Sequence, residues 1–356
     1  MTKKKNSRLF YIDLLNCIAI FGVLVQHTAQ IAHVGVSTQT ITIIGNVIQT
    51  IFLPAVGIFF MNSGAMLLNY RERQNTSHFF KRRLLRVALP FLIWSIFYYI
   101  YGYYQYAFPG IFHHTTFGLR DFTEAFVDNK INSLFWFFYI IIQLYVATPV
   151  FAILAKKHKD ILCYVAVIAF ISADVYSYID HTLHLNLMKS MLTQPLLASS
   201  WIQYFIFGYL IKEDYFSRKV ENGMIIFGMF TFILDIVNDL TINNYNLLQN
   251  ISDFPYAVAI YLIIKRCADR YKNNEHVTIL MEKLASTSLG IYILHPLFIA
   301  GFDWLFFSRS AAHFDSYMQV LKNPVHIFVL PILIYIILVP IILSLKRISF
   351  MKYILP

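Results

Sequence analysis

The stretch "IDLLNCIAIFGVLVQH", residues 12–27, decides the fold, because it is apolar enough to cross a membrane as a helix yet ends on an imidazole. It lies inside a longer apolar run, 9–32, which exceeds the ~20 residues a helix needs to span the hydrocarbon. The run also continues well past the 7–15 apolar residues of a secretory leader, so it reads as an uncleaved first span. Outward from this stretch the pattern repeats. The chain has 356 residues, 58% of them hydrophobic and only 13% charged, which leaves too little polar side chain to cover a water-soluble surface. Ten apolar stretches follow one another, roughly 9–32, 41–68, 87–107, 131–154, 161–179, 197–211, 222–241, 248–265, 284–306 and 325–345, of which the sixth and eighth are short. The expectation is an all-α integral membrane protein of about ten transmembrane helices, a single polytopic domain filling residues 1–356.

Charge tests that segmentation independently, since Lys and Arg collect on the cytoplasmic side of membrane proteins. If the amino terminus is cytoplasmic, the inside segments ("KKKNSR", "RERQ" through "KRRLLR", "KKHK", "KEDYFSRK", "KRCADRYK" and "KRISFMK" among them) hold 24 of the 29 Lys and Arg, and the outside ones hold five. Both termini are therefore expected in the cytoplasm. The net charge of +10 is a topology signal plus attraction to membrane lipid, with no nucleic-acid partner expected. Cys17, Cys163 and Cys267 show no pairing pattern across an oxidising loop, so no disulfide framework is expected.

Ionisable groups inside a bilayer are costly and face protein or water, so the few present are the places to look for function. Of twelve histidines only His27 and His295 fall well within spans; the others lie in loops or at span edges and read as solvated side chains. Asn16 and His27 are eleven residues apart, which at ~100° per residue returns to within ~20° of the same direction. With Asp13 just below, they form a polar line on the first helix, either a face that hydrogen-bonds a neighbouring helix or one that looks into a wet site. Arg83 and Arg86, three apart, are expected on one helical face as membrane anchors or as a phosphate site. Asn62, Ser63 and Gly64 lie deep in the second span, where small and polar residues permit close packing. Gln143 and Tyr145 in the fourth span read chiefly as packing. Ser286, Tyr292 and His295 share the ninth span with Pro296, which frees a backbone carbonyl there. Asp174, Asp235 and Asp303 sit in the outward halves of their spans and could orient a histidine or bind sugar hydroxyls.

Six segments, "YIDLLNCIAIFGVLVQH", "FFMNSGAMLL", "FFKRRLLRVALPFLIWS", "LFWFFYIIIQLYVATPV", "YFIFGYLI" and "STSLGIYILHPL", occur in an order that resembles the acyltransferase-3 family of bacterial integral-membrane O-acyltransferases over nearly the whole chain. The resemblance implies transfer of an acyl group, commonly acetyl, from cytoplasmic acetyl-CoA or another acyl-CoA to a hydroxyl of a cell-surface polysaccharide or its lipid-linked precursor, in the bacterial cytoplasmic membrane. It implies no metal. By the same resemblance His27 is the catalytic candidate, Arg83 and Arg86 contact the coenzyme, and His295 has a counterpart of less defined role. Asn16 departs from the family, which usually has arginine there; asparagine can bond a carbonyl or a pantetheine amide but cannot compensate a phosphate. Histidine, titrating near neutrality, suits the proton transfer that acyl transfer to a hydroxyl requires. An exporter of a surface polysaccharide would share the spans, the polar cavity and the intramembrane histidines, and a membrane sensor is a third reading.

Overall fold

The computed structural model describes residues 9–35, 38–104, 110–183, 201–241, 251–306 and 314–355. Among these residues there are helices and connecting turns, with a single isolated bridge between Ile111 and Asn132 and no named strand. A chain surrounded by lipid must satisfy its backbone groups internally, and the helix does so within each segment.

The amino-terminal half comprises α1 (Phe10–Thr28), α2 (Ile31–Val34), α3 (Thr40–Phe52), α4 (Pro54–Leu67), α5 (Thr76–Arg83), α6 (Leu89–Tyr104), α7 (Leu119–Val127), α8 (Trp136–Lys157) and α9 (Lys159–Phe170). The remainder comprises α10 (Tyr176–Leu183), α11 (Ile202–Lys212), α12 (Arg218–Leu240), α13 (Asp253–Ala268), α14 (Glu275–Ala285), α15 (Ser288–Phe306), α16 (Phe314–Leu321), α17 (Leu330–Leu345) and α18 (Met351–Ile354). Three π-turns, Leu84–Ala88, Ile171–Val175 and Val325–Val329, join α5 to α6, join α9 to α10 and lead into α17.

Among the described residues eight helical runs are long and apolar enough to cross a membrane: Phe10–Val34, Thr40–Glu72, Thr76–Tyr104, Ser133–Lys157, Lys159–Asp180, Arg218–Leu240, Ser288–Phe306 and Val325–Leu345. The two segments that read as short, 197–211 and 248–265, appear as α11 and α13, with 11 and 16 residues. Residues 197–200 and 248–250 lie outside the described residues. Both helices are enclosed by others: α11 is buried from Ile202 through Ile211 and packs on α4 and α9, while α13 packs on α12, α4 and α1.

The α4–α11 crossing explains the glycines of both helices. A Cβ on Gly64 would come within 1.6 Å of the Phe205 carbonyl oxygen, and one on Gly208 within 1.9 Å of that of Met61. Only hydrogen at those positions lets the two backbones touch, which is how membrane helices gain dispersion contact in a solvent as apolar as their own side chains. Around this crossing α1 is the central helix, contacted by α3, α4, α13, α14, α15 and α17. Basic side chains near helix ends form ion pairs, Lys159 with Glu213 at 3.2 Å, Lys265 with Asp214 at 2.6 Å and Arg266 with Glu221 at 2.7 Å.

Candidate functional site

A cavity of about 300 Å³ lies among α1, α4, the α5–α6 junction, α8 and α15. That is the lower end of the roughly 300–1,000 Å³ of small-molecule sites. Asn16, Asn62, Ser63, Arg83, Tyr145, Ser286 and Ser288 give it a polar wall, and Val23, Phe59, Phe137, Ile141 and Tyr292 an apolar one. Asn62 donates from Nδ2 to Oδ1 of Asn16 at 3.0 Å, while its own Oδ1 is buried without a partner. The guanidinium of Arg83 lies 5.7 Å from the ring centroid of Tyr145 and 5.9 Å from that of Phe79, and its Nε is buried without a hydrogen-bond acceptor. Ring faces favour the cation there but do not use up its donors.

Arg86 does not share this cavity; its side chain is exposed. The α-helical spacing of three that would align it with Arg83 fails because Leu84–Ala88 is wound as a π-turn, where the wider turn carries residue 86 off the face of residue 83. Asp13 is buried beside the cavity-lining Ile12 but is not on the cavity wall. Of the polar line on α1, Asn16 reaches the cavity and His27 lies beyond it, one helical turn past the lining residue Val23.

His27 meets His295. Their rings are nearly parallel, 12° apart, with centroids separated by 4.8 Å, and Nδ1 of His27 is 2.7 Å from Nε2 of His295. Nitrogens so much closer than the centroids mean the rings lie edge to edge in nearly one plane, as an in-plane hydrogen bond requires. Nδ1 of His295 faces the Ile291 carbonyl at 3.1 Å, with the Tyr292 carbonyl also beside it. Pro296, four residues after Tyr292, lacks the N–H that would otherwise occupy that second carbonyl. The ring of Tyr292 forms part of the cavity wall, lies 5.9 Å from that of His295, and its hydroxyl donates to the carbonyl of Leu134.

A second buried pair lies close by in the chain. His326, at the start of the tenth apolar stretch, is 0% exposed; its Nδ1 is 2.7 Å from the carbonyl of Thr28, the residue after His27, and its Nε2 is 3.2 Å from Oδ1 of Asp303. The expectation of a solvated side chain is corrected for His326 and also for His114, 8% exposed beside Asp121. The signal that could have found His326 is Asp303, a carboxylate deep enough in a span to need a partner. Asp174 accepts from Nε2 of Gln203 at 3.1 Å, away from both histidine pairs, and Asp235 is likewise off the cavity wall.

The structure thus gathers Asn16, Ser63, Arg83 and Tyr292 on one cavity, joins His27 to His295 just beyond it, and leaves Arg86 and Asp13 outside. Asn62, Tyr145 and Ser288 complete the polar wall; the first two read from sequence as packing, and nothing in the sequence marks Ser288. A multi-pass helical membrane protein with an internal polar cavity and an imidazole pair at its end is the class defined by this arrangement. A family model for an acyltransferase domain matches residues 9–345, and the chain belongs to the acyltransferase-3 family: it is a membrane acyltransferase. No curated protein and no solved structure matches it significantly.

Proposed function

We propose that this protein moves an acyl group, acetyl by default, from coenzyme A to a hydroxyl of a cell-surface polysaccharide or its lipid-linked precursor, in the bacterial cytoplasmic membrane with its basic end toward the cytoplasm. The observation that carries this reading is the cavity itself, which has the guanidinium of Arg83 on one wall and is bounded by the tyrosine that abuts the His27–His295 pair. The residues present suit the donor substrate. The Arg83 guanidinium on the cavity wall can bind a phosphate oxygen, and the Asn16–Asn62 amide pair beside it can bond the amides of the pantetheine arm. From Asn16 to His27 is ~16 Å along α1, which an extended arm of that kind covers. The nucleotide, too large for this cavity together with the arm, stays at its mouth.

The thioester supplies an acyl carbon with a good leaving group. His27 removes the proton from the acceptor hydroxyl as its oxygen bonds to that carbon, and returns it to the departing sulfur, so that the imidazole ends neutral as it began. The test is base-labile acetate on purified surface polysaccharide from a deletion strain carrying wild-type protein or His27→Ala at equal membrane levels. Acetate restored by the wild type alone supports acyl transfer. Unchanged acetate in every strain with altered polysaccharide export would replace it with the exporter.

A further inference from the structure

The two imidazoles are joined through specific nitrogens, and those nitrogens determine which tautomer each ring holds. A neutral imidazole carries one N–H and one lone pair. Nδ1 of His295 is surrounded by the carbonyl oxygens of Ile291, at 3.1 Å, and Tyr292, both of which only accept. The proton of His295 therefore sits on Nδ1, and its Nε2 presents a lone pair. The atom 2.7 Å from that lone pair is Nδ1 of His27, which must donate. What remains on His27 is Nε2, a lone pair with no protein partner among the described residues and not among the enclosed orphan atoms. A histidine in water favours the opposite form, with the proton on Nε2, so His27 alone would turn a donor outward.

We infer that His295 is a positioning residue that holds His27 in the Nδ1–H tautomer, so that Nε2 is the base that accepts the hydroxyl proton. The relay runs from the Ile291 and Tyr292 carbonyls through His295 to His27 and ends on the one nitrogen free to react. Pro296 belongs to the device, because by lacking an N–H it leaves the Tyr292 carbonyl open to the ring of the residue before it. When Nε2 takes a proton, His27 becomes an imidazolium whose Nδ1–H still points at the lone pair of His295, which strengthens that hydrogen bond as charge develops. The role of Nε2 rests on the acyl-transfer reading; the tautomer does not.

Two variants and one spectrum test it. His295→Gln keeps an acceptor oxygen at about the reach of Nε2, whereas His295→Leu removes it. With acyl-CoA and purified polysaccharide, His295→Leu is expected to lower kcat by about 100-fold or more, within the range of a general base or a wrong tautomer, with KM for acyl-CoA little changed. His295→Gln is expected to stay within about tenfold of the wild type. Nitrogen-15 spectra of histidine-labelled protein in bilayers should show His27 protonated on Nδ1 in the wild type and on Nε2 in His295→Leu. The inference is overturned if wild-type His27 carries its proton on Nε2, if both variants lose activity equally, or if His295→Leu keeps its kcat. Absence of acyl transfer by the wild type would instead remove the acyl-transfer reading, and the spectrum would still decide the tautomer.

Discussion

His27–His295 and His326–Asp303 use the same chemistry to different ends. The first pair joins helices from opposite ends of the chain and the second joins α15 to the turn that leads into α17, and in each a histidine Nδ1 faces a main-chain carbonyl, of Ile291 in one and of Thr28 in the other. In the second pair Nε2 of His326 lies 3.2 Å from the Asp303 carboxylate, an ion-pair contact without hydrogen-bond geometry, and both side chains are nearly sealed, at 0% and 4% exposure. The carbonyl it takes is one of those left over at the carboxy-terminal end of α1, where positive charge is favoured. The first pair ends on a nitrogen with no protein partner among the described residues. Residue type therefore does not separate a reacting histidine from a clamp; whether the last nitrogen is sealed in or left open does.

The largest expected effect comes from breaking the open pair at its reactive end. His27→Ala should lower acyl transfer by about 10²–10⁴-fold, the contribution of a positioned base, while thermal unfolding in detergent shifts little. An activity loss matched by a collapse in unfolding temperature would put His27 in the same category as His326. Breaking the closed pair should do the reverse. Removing one partner of a buried pair costs about 3–5 kcal/mol, so His326→Leu or Asp303→Leu alone should lower the unfolding temperature sharply, and the double variant should recover much of it. If the double variant were no more stable than the singles, packing rather than charge would be what the pair provides.

The same contrast exists between two like residues, Arg83 on the cavity wall and Arg86 outside it. Arg83→Gln should raise KM for acyl-CoA about tenfold, the loss of one charge-assisted hydrogen bond, and Arg86→Gln should leave it within about twofold. Equal effects would mean that phosphates reach across the π-turn to both.

The smallest effect belongs to a third pair, His114 and Asp121, 3.6 Å apart in the connection between α6 and α8. Hydrogen bonds from the hydroxyls of Tyr99 and Thr116 hold the Asp121 carboxyl below its usual range, and burial pushes His114 below the usual imidazole value against the pull of Asp121. Both shifts are downward, so both groups bind protons more weakly folded than unfolded. Their stabilisation is complete above about pH 6.5, the ordinary value for histidine, and is lost as pH falls, first through His114 and below about pH 4 through Asp121. Hydrogen exchange at Gly118 should quicken on acidification in the wild type and respond less in Asp121→Asn; identical profiles would show that this pair does not hold the connection.

The all-helical membrane class was legible because a membrane leaves the backbone only one local solution, so apolar length is enough; of the ten apolar stretches, eight contain helical runs long and apolar enough to cross a membrane among the described residues, and the two short ones form α11 and α13. Periodicity likewise brought Asn16 and His27 to one side of α1. What stayed hidden were departures from the ideal period and contacts distant in sequence. Nothing in "KRRLLRVALP" announces the π-turn that separates Arg83 from Arg86, since one widened turn leaves the apolar pattern intact. His326 looked like a span-edge residue because its burial depends on Asp303 and on the end of α1, neither of which is local. Asn62 read as packing because its value to the cavity rests on a partner 46 residues away.

The separation of His27 from His295 is 268 residues, and that bears on how the protein is made. At roughly 5–20 residues per second of synthesis, the first helix waits on the order of 15–50 s for the partner that aligns its imidazole. During that interval a nascent chain can lodge in the bilayer and hold most of its basic anchors, yet its histidine turns freely and the relay does not exist. A product truncated before α15 would therefore occupy membrane without chemistry, and the appearance of activity would report that the ninth apolar stretch has been inserted and docked.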